Sequence, residues 1–402
     1  MTSPAARPRR VLVARLDSAG DVLVCGPAVR AVAAGADSTT LLCGPQGAAA
    51  GRLLPGVDEV LEWEAPWVSR DGPAASREHT DALVALVQEV APDEAVVLTS
   101  FHQSPLPLAL LLRLAGVPRV SGASVDAAGS LLDVRLVPGE DFPEDQPEPV
   151  RALGIAAAAG FTLPDGDDGL LRVVPPPDAG DLVGDEPYVV VHPGASVPSR
   201  AWPPDHHRAL VALLHERGLR PVVTGGPAER DLTRHVAGGA PRGWALDLGG
   251  RTDLRTLSGV LAGAGVVVTG NTGPAHLAAA VGTPVVSLFS PVVPAERWAP
   301  YGVPVTLLGD QHAPCRASRA QTCPVPGHPC LAGVQPEEVL AACLELLGGS
   351  GTARPHRVTE AGAGALTSPP AEPARAPSSD TAPSSSTALS ADTALDLLET
   401  RR

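Results

Sequence analysis

The chain has 402 residues, enough for two domains with cores of their own, and 44% of them are hydrophobic. Its formal net charge of −14, from 44 acidic against 30 basic residues, argues against nonspecific nucleic-acid binding, which needs a basic face. The six cysteines are interpreted as thiols or metal ligands rather than disulfides.

The amino terminus predicts neither a signal peptide nor a membrane anchor. The apolar run Val11–Ala14 is too short for a signal sequence and is interrupted by Arg15. No run approaches the roughly 20 apolar residues that span a bilayer. We therefore expect a cytoplasmic protein. The protein could still contact the inner face of a membrane to reach its substrate, and the sequence leaves this open.

Short β-rich runs alternate with Ala/Leu-rich helical stretches along most of the chain. This alternation predicts βαβ units with parallel sheets, the α/β class. The strand-like runs are RVLVARL, TTLLCG, EAVVLTS and PRVSG in the first half, and PYVVVHPG, RPVVTGG, WALDLGG, GVVVTGN and PVVSLFS in the second.

A proline- and acid-rich stretch separates the two halves, and we place the link near residues 175–186. The predicted domains are residues 1–176 and 177–347. Residues 348–402 turn to Ser, Pro, Ala and Thr with few large apolar residues, so we predict a disordered tail that ends in a frayed segment rather than a helix.

In the first half, Ser18, Gly20 and Asp21 follow the first predicted strand directly. The spacing is not GxGxxG and no GxxxxGK[ST] occurs, so a nicotinamide cofactor and a P-loop lose their main support. Asp21 fits either a helix start or a general base facing a cleft. The acidic stretch Asp165–Asp167 is interpreted as a solvated turn.

Two loops in the second half also follow strands. Arg200 stands in HPGASVPSRAWPP, after a strand that ends at His192, and can neutralise an anionic ligand; the alternative is an exposed loop arginine. Glu229 follows GGP in the first turn of a helix. Capping of that helix is its default role, and binding of a ribose hydroxyl is the sharper interpretation.

The stretch VVVTGNTGPAHLAAAVG contains the single asparagine of the chain, Asn271. It predicts a buried strand, a tight turn over Gly270–Gly273 and a helix from Pro274. Free backbone N–H groups at such a helix start bind phosphate. Asn271 and Thr272 also fit helix caps, and His276 adds a side chain that can hydrogen-bond a ligand.

The four segments together resemble glycosyltransferase family 9, the heptosyltransferase family. They stand in the family's order across residues 10 to about 345, as SAGD, HPGAS with RAWP, GGPAE and NTGPAHLAAA. Each motif alone is weak, but four in order are specific. Two departures, Asn271 where many members carry Asp and Arg200 where many carry Lys, leave the donor open.

The resemblance implies a GT-B architecture of two Rossmann-like domains, and inverting transfer of a sugar from a nucleoside diphosphate to an acceptor hydroxyl. The donor implied is ADP-heptose and the acceptor a glycan or glycolipid of the cell envelope, with lipopolysaccharide core as the family's association. No metal or other cofactor is required. By resemblance the base is Asp21, and the donor contacts are Ser18, Gly20, Ser196, Arg200, Glu229, Asn271, Thr272, Gly273 and His276.

Acceptor contacts are expected in the first domain, at His102 and Gln103 in TSFHQSP; a loop leading into a helix is the alternative. A cysteine-rich segment offers a second kind of site. His312, Cys315, Cys323 and Cys330 are a ligand set for tetrahedral zinc, but their spacing is not that of a zinc finger, and free thiols are favoured.

Two other functions stay open from the sequence. One is a different GT-B enzyme, such as a sugar-nucleotide epimerase or a transferase with another donor. The other is a sugar-nucleotide binding protein without turnover, in which replacement of Asp21 changes no activity.

Overall fold

Two parallel six-stranded sheets organise the part of the chain that the computed structural model describes, residues 9–68, 72–239 and 243–349. The first sheet contains β1 (Arg10–Arg15), β2 (Ser38–Cys43), β3 (Glu59–Glu62), β4 (Glu94–Val97), β5 (Arg119–Ala123) and β6 (Val134–Leu136). The second contains β7 (Tyr188–His192), β8 (Arg220–Val223), β9 (Leu246–Asp247), β10 (Val266–Gly270), β11 (Val285–Leu288) and β12 (Val305–Leu308).

Helices connect these strands. Around the first sheet they are α1 (Ala19–Val24), α2 (Gly26–Ala34), α3 (Pro45–Gly51), α4 (Arg77–Val90), α5 (Leu106–Leu114) and α6 (Glu148–Ala158). The remainder are α7 (Gly180–Val183), α8 (Pro204–Glu216), α9 (Arg230–Val236), α10 (Leu254–Ala262), α11 (Gly273–Ala280), α12 (Ala295–Trp298), α13 (Pro329–Ala332) and α14 (Pro336–Gly348).

Both sheets have the same strand order. The first runs β3-β2-β1-β4-β5-β6, and the second, read from its β9 edge, runs β9-β8-β7-β10-β11-β12. The direction of winding reverses between β1 and β4 in one sheet and between β7 and β10 in the other. Ligands of open α/β sheets bind beyond the carboxyl ends of the strands at such reversals. The loops that follow β1, β7 and β10 are therefore the expected binding loops.

The central strands are apolar through their middle because helices cover both faces of each sheet. Val11 to Ala14 of β1 and Val266 to Val268 of β10 are all at most 1% exposed. Strands buried in this way hold the loops at their carboxyl ends on a rigid frame.

The α/β fold class predicted from the alternating runs is confirmed. Both sheets belong to one compact unit, Met1–Arg357, and the domain boundary at residues 176/177 stays a prediction. The predicted tail lies outside the described residues except for its first two, which end α14 or follow it. None of the helices within the described segments combines the length and the apolar character needed to cross a membrane.

The interpretation of Asp165–Asp167 as a solvated turn is wrong for Asp167. Its carboxylate accepts two hydrogen bonds from the Arg30 guanidinium, at 2.7 and 2.8 Å, and both side chains are 9% exposed. The Arg30 hydrogen bonds lower the pKa of Asp167 well below its usual range. This loop therefore ties the segment after α6 to α2 through a buried ion pair.

Candidate active site

An open cleft of about 890 Å³ lies among the loops that follow β1, β7, β8 and β10. All ten residues that the resemblance assigned to catalysis or donor binding line it. They are Ser18, Gly20, Asp21, Ser196, Arg200, Glu229, Asn271, Thr272, Gly273 and His276. Four segments far apart in sequence thus meet at the winding reversals of the two sheets.

Asp21 lies on the first-sheet side of the cleft, with its side chain 20% exposed. Its Oδ2 accepts hydrogen bonds from the backbone N–H and the hydroxyl of Ser18, at 3.1 and 2.6 Å. Its Oδ1 accepts one from Nη2 of Arg15 at 3.1 Å. Asp21 therefore caps the start of α1, as one interpretation of the sequence predicted, and the same carboxylate also lines the cleft.

The start of α11 offers free backbone donors. Thr272 occupies the cap position, but its side chain makes no capping hydrogen bond. Its hydroxyl lies instead 3.3 Å from that of Thr269. Pro274 has no N–H, and the N–H of Ala275 donates to the Thr272 carbonyl at 3.1 Å. Within the described segments, the N–H groups of Thr272 and Gly273 are thus left for a ligand, and an anion is the partner they favour.

Asn271 and His276 add neutral donors beside this helix start. Asn271 is 4% exposed, and its side chain makes no hydrogen bond within the described segments, so its amide is free to bind a ligand in the cleft it lines. His276 is 3% exposed and its Nδ1 has no partner there. Burial lowers the pKa of His276 to about 4, so its ring is neutral at pH 7.

Arg200 brings a positive charge to the same cleft. It ends the short 3-10 helix Pro198–Arg200, whose Ser199 donates from its N–H to the carbonyl of Gln321 at 2.9 Å. Trp202 anchors the other side, because it is buried and its Nε1 donates to the carbonyl of Val334 at 3.1 Å. Nε of Arg200 has no partner among the residues that the structure describes, and burial lowers the pKa of its guanidinium. A half-buried guanidinium without an ion-pair partner in the described segments favours an anionic ligand.

Glu229 realises the capping interpretation with one carboxylate oxygen. Its Oε2 accepts from the N–H of Gly226 at 2.6 Å. Its Oε1 lies against Gly194, where an added Cβ would be only 1.9 Å away. The glycine of the HPGAS segment therefore makes room for Glu229, and the ribose role stays a prediction.

Seven further residues line the cleft that were not among the predicted site residues: Ala19, Gln46, His192, Gly194, Ala195, Pro274 and Trp298. His192 is the last residue of β7, and its Nδ1 lies 3.0 Å from the Thr224 hydroxyl. Burial lowers its pKa. His192 could have been predicted as a site residue because it ends an apolar strand. No sequence pattern marks Gln46 or Trp298 as a site residue.

The two predicted acceptor residues lie outside the lining of this cleft. Nε2 of Gln103 donates to Asp17, and its Oε1 accepts from Ser100, so its amide groups have partners within the chain. His102 is exposed, with its ring edge-on to Phe101 at 4.0 Å. Desolvation and the cations Arg319 and Arg297 lower its pKa. Acceptor binding by His102 and Gln103 stays a prediction.

The cysteine-rich segment packs into a hydrophobic core formed with strands of the second sheet. Cys315 and Cys330 are buried, and the thiols of Cys315, Cys323 and Cys330 lie close together. Burial raises the pKa of Cys315, and that of Cys330 to about 11. No group of three or more His, Cys, Asp or Glu side chains in residues 9–68, 72–239 and 243–349 is arranged to hold a metal ion. Zinc binding by His312, Cys315, Cys323 and Cys330 stays an open alternative to free thiols.

The two matching sheets and the cleft between their binding loops define a protein of the GT-B class. A model of glycosyltransferase family 9 (heptosyltransferase) matches residues 157–328. The resemblance is therefore confirmed over this region, which contains three of the four motifs and matches a domain of this family.

Characterised relatives match parts of the chain. Lipopolysaccharide heptosyltransferase 1 of Pseudomonas aeruginosa is 32% identical over 228 residues, which cover 55% of this chain and 61% of that protein. Lipopolysaccharide heptosyltransferase 3 of Escherichia coli is 34% identical over 104 residues, covering 25% of this chain and 31% of that protein. The matched regions thus span less than two thirds of these relatives.

Solved structures show the same fold over a longer stretch. The Escherichia coli ADP-heptose lps heptosyltransferase II superposes with a TM-score of 0.65 and 20% identity, covering 84% of this chain and 98% of that one. A glycosyl transferase of family 9 from Veillonella parvula gives a TM-score of 0.68 and 16% identity, covering 85% and 98%. At these identities the likeness establishes the GT-B fold of this chain.

Proposed function

We propose that this protein is an inverting glycosyltransferase that moves a sugar, heptose from ADP-heptose, onto a hydroxyl of a cell-envelope glycan or glycolipid. The observation that carries the proposal is the convergence of all four family motifs on one cleft. The names of the relatives, lipopolysaccharide heptosyltransferases 1 and 3, support heptose and lipopolysaccharide core as the first substrates to test.

In this proposal the diphosphate of the donor lies at the start of α11. The free N–H groups of that helix, the Asn271 amide and the Arg200 guanidinium stabilise the charge that develops on the leaving group. His276 is neutral at pH 7 and donates a hydrogen bond without adding charge. Glu229 binds the ribose through the oxygen that does not cap its helix.

Asp21 is the proposed base. Its carboxylate takes the proton of the acceptor hydroxyl while the hydroxyl oxygen bonds to the anomeric carbon. The bond from that carbon to the diphosphate oxygen breaks on the opposite side, and the nucleoside diphosphate leaves with the electron pair. This single displacement inverts the anomeric centre.

Protein groups supply both the base and the positive charge in this scheme, so no divalent metal is part of it. Activity is therefore expected to persist at full rate after treatment with EDTA. The acceptor is proposed to reach the cleft from the first-sheet side, with the protein at the inner face of the membrane when the acceptor is a glycolipid.

A thermal-shift panel of ADP-, GDP-, UDP- and dTDP-sugars tests the proposal first. A ligand that binds only the folded protein raises its stability, and at equal concentration a tighter ligand raises it more. We expect ADP-heptose to give the largest rise, and its incubation with acceptor to release ADP and an inverted glycoside. A larger rise with another donor would reassign the sugar nucleotide. Binding without release of nucleoside diphosphate, with every acceptor tried, would favour a protein that only binds sugar nucleotides.

A further inference from the structure

Arg15 lies directly behind the proposed base. It is the last residue of β1, and its side chain is 1% exposed, so it does not reach a ligand in the cleft. Its Nη2 is 3.1 Å from Oδ1 of Asp21, its Nε is 2.7 Å from Oδ2 of Asp17, and its Nη1 is 3.6 Å from Oε2 of Glu148. One buried guanidinium thus serves three carboxylates.

The contacts of Asp21 divide its two oxygens between different parts of the fold. Oδ2 is held by Ser18, three residues earlier in the same turn. Oδ1 is held by Arg15, which belongs to the central strand. Arg15 is therefore the link that fixes the direction of this carboxylate relative to the sheet, and without it Asp21 is oriented only by its local turn.

Glu148 approaches the same guanidinium from the first turn of α6. It is 2% exposed, and its Oε1 has no hydrogen-bond partner within the described segments. Burial raises the pKa of its carboxyl group, and Arg15 and Arg151 partly oppose that rise. When Glu148 is ionised, its negative charge partly neutralises the Arg15 guanidinium, which then stabilises the Asp21 carboxylate less.

We infer that Arg15 is the positioning residue that aims Asp21 into the cleft, and that Glu148 sets how strongly Asp21 holds a proton by competing for the same guanidinium. The kinetic part of this inference rests on the proposed function, in which Asp21 is the base. Arg15 acts through Asp21 and contacts no substrate.

Other charged groups face Asp21 and bear on its proton affinity. Arg200 approaches from the second half, and Asp17 from the loop after β1. His276 also faces it but is neutral at pH 7 because burial lowers its pKa to about 4. The Cys25 thiol nearby stays protonated, because burial raises its pKa to about 12. Of the described residues, the cations that face Asp21 are Arg15 and Arg200, and the carboxylates are Asp17 and Glu148. Loss of Arg15 therefore leaves Arg200 as the cation, and loss of the Glu148 charge leaves Asp17.

The test measures release of nucleoside diphosphate against pH at saturating donor. In Arg15→Gln we expect turnover to fall by about tenfold to a hundredfold, the range typical of a misplaced base, with nucleotide affinity unchanged. The acid limb of the profile should move to higher pH, because Asp21 loses a cation. Arg15→Lys should recover part of the turnover. In Glu148→Gln the acid limb should move to lower pH, because Asp21 loses an anion.

Arg30→Gln is the matched control, since Arg30 is another buried arginine with a carboxylate partner, Asp167, but belongs to α2. It should lower the melting temperature without moving the acid limb. The same outcome for Arg15→Gln, a lower melting temperature with an unmoved acid limb, would show a purely structural role and overturn the inference.

A second measurement does not depend on transfer. The folded-state pKa of Glu148 is raised, so its ionisation costs stability. The contribution of the protonated group to stability is fully present below about pH 4.5 and is lost as pH rises through the folded pKa. Glu148→Gln should therefore gain stability relative to the unchanged protein as pH rises from about 4.5 to 8. A difference that stays flat would overturn the role of Glu148. Such a gain in a protein that transfers no sugar would support the cluster and refute the proposed reaction.

Discussion

Gly20 at the start of α1 packs against Gly273 at the start of α11, so the two halves of the molecule touch through their backbones beside the cleft. A Cβ built on Gly20 would lie 3.2 Å from Cα of Gly273 and 3.2 Å from Cδ2 of His276. One neighbour is backbone and the other a buried ring. The two helix starts are therefore about as close as a residue without a side chain allows.

Replacement of Gly20 by alanine should impair the site without unfolding the protein. The new methyl group must displace the start of α11 by a few tenths of an ångström, and the diphosphate is proposed to bind there. We expect turnover to fall by about tenfold, since small misplacements of catalytic groups have such effects. Kinetics and nucleotide titration measure the change.

Gly154→Ala is the control for this change. Gly154 lies within α6, and nothing lies within 4 Å of a Cβ built on it. Alanine there should raise the free energy of unfolding by about 0.5–1 kcal/mol, because glycine is a poor helix former, and should leave activity alone. Full activity of Gly20→Ala would show that the contact between the two helix starts is not needed for the reaction.

Asp21→Ala should separate catalysis from binding. Without the base, turnover is expected to drop by about 100-fold or more, while donor affinity stays within a factor of about two. Asp231→Ala, at a side chain that is 96% exposed, should leave both quantities unchanged. A variant of Asp21 that keeps full turnover would refute its assignment as the base.

The sequence predicted the central strands of both sheets and missed three of the edge strands. All nine strand-like runs contain strands, because central strands of parallel sheets are continuously apolar. The three missed strands are Glu59–Glu62, Val134–Leu136 and Val305–Leu308, each at the outer edge of its sheet. Their side chains are only partly buried or exposed, so they carry no such apolar signal.

The candidate site shows the same division. Asn271 and Arg200 could be found because they follow predicted strands, whose carboxyl ends determine where a ligand binds. Trp298 lies in a four-residue helix without a periodic pattern. The meeting of Arg15 with Glu148 depends on how α6 packs against α2 and α1, and only the tertiary structure shows that packing.

Arg200→Ala should weaken binding of the diphosphate part of the donor selectively. The side chain of Arg200 is half-buried and makes no ion pair within the described segments, so its charge is available to an anion. Calorimetry should show a loss of roughly tenfold to a hundredfold for the nucleoside diphosphate, the range of a charge-assisted hydrogen bond, and little loss for the nucleoside. Arg217→Ala, at an exposed position after α8, is the control. Equal losses for the two ligands would contradict a phosphate contact.

Gly194→Ala tests whether the place of Glu229 matters. The added Cβ would be 1.9 Å from Oε1 of Glu229, so the carboxylate has to move. If Glu229 binds the ribose, affinity for the nucleoside should fall by about tenfold, and Glu229→Gln should reproduce much of that loss. Gly348→Ala is the control, because Gly348 is α-helical and nothing lies within 4 Å of a Cβ built on it. Gly282 is unsuitable because its φ is +83°. Unchanged nucleoside affinity in both variants would leave Glu229 as a helix cap alone.

His276 should make the folded protein sensitive to acid. Its folded-state pKa of about 4 lies below the 6.5 of an ordinary histidine, so the unfolded chain binds the additional proton between these values. Stability is therefore fully present above about pH 6.5 and declines as pH falls toward 4, by up to about 3 kcal/mol. His276→Asn should show a smaller decline over this range, measured by denaturant unfolding at several pH values.

The comparison must be between variant and unchanged protein, because His207 contributes in the same direction. Burial lowers the pKa of His207 to about 3, so it remains acid-sensitive in both proteins. His215→Asn, at an exposed position near the end of α8, should keep the decline of the unchanged protein. If His276→Asn loses stability as steeply as the unchanged protein below pH 6.5, His276 accepts a proton in the folded state as readily as in water, and its proposed role as a neutral donor to the diphosphate fails.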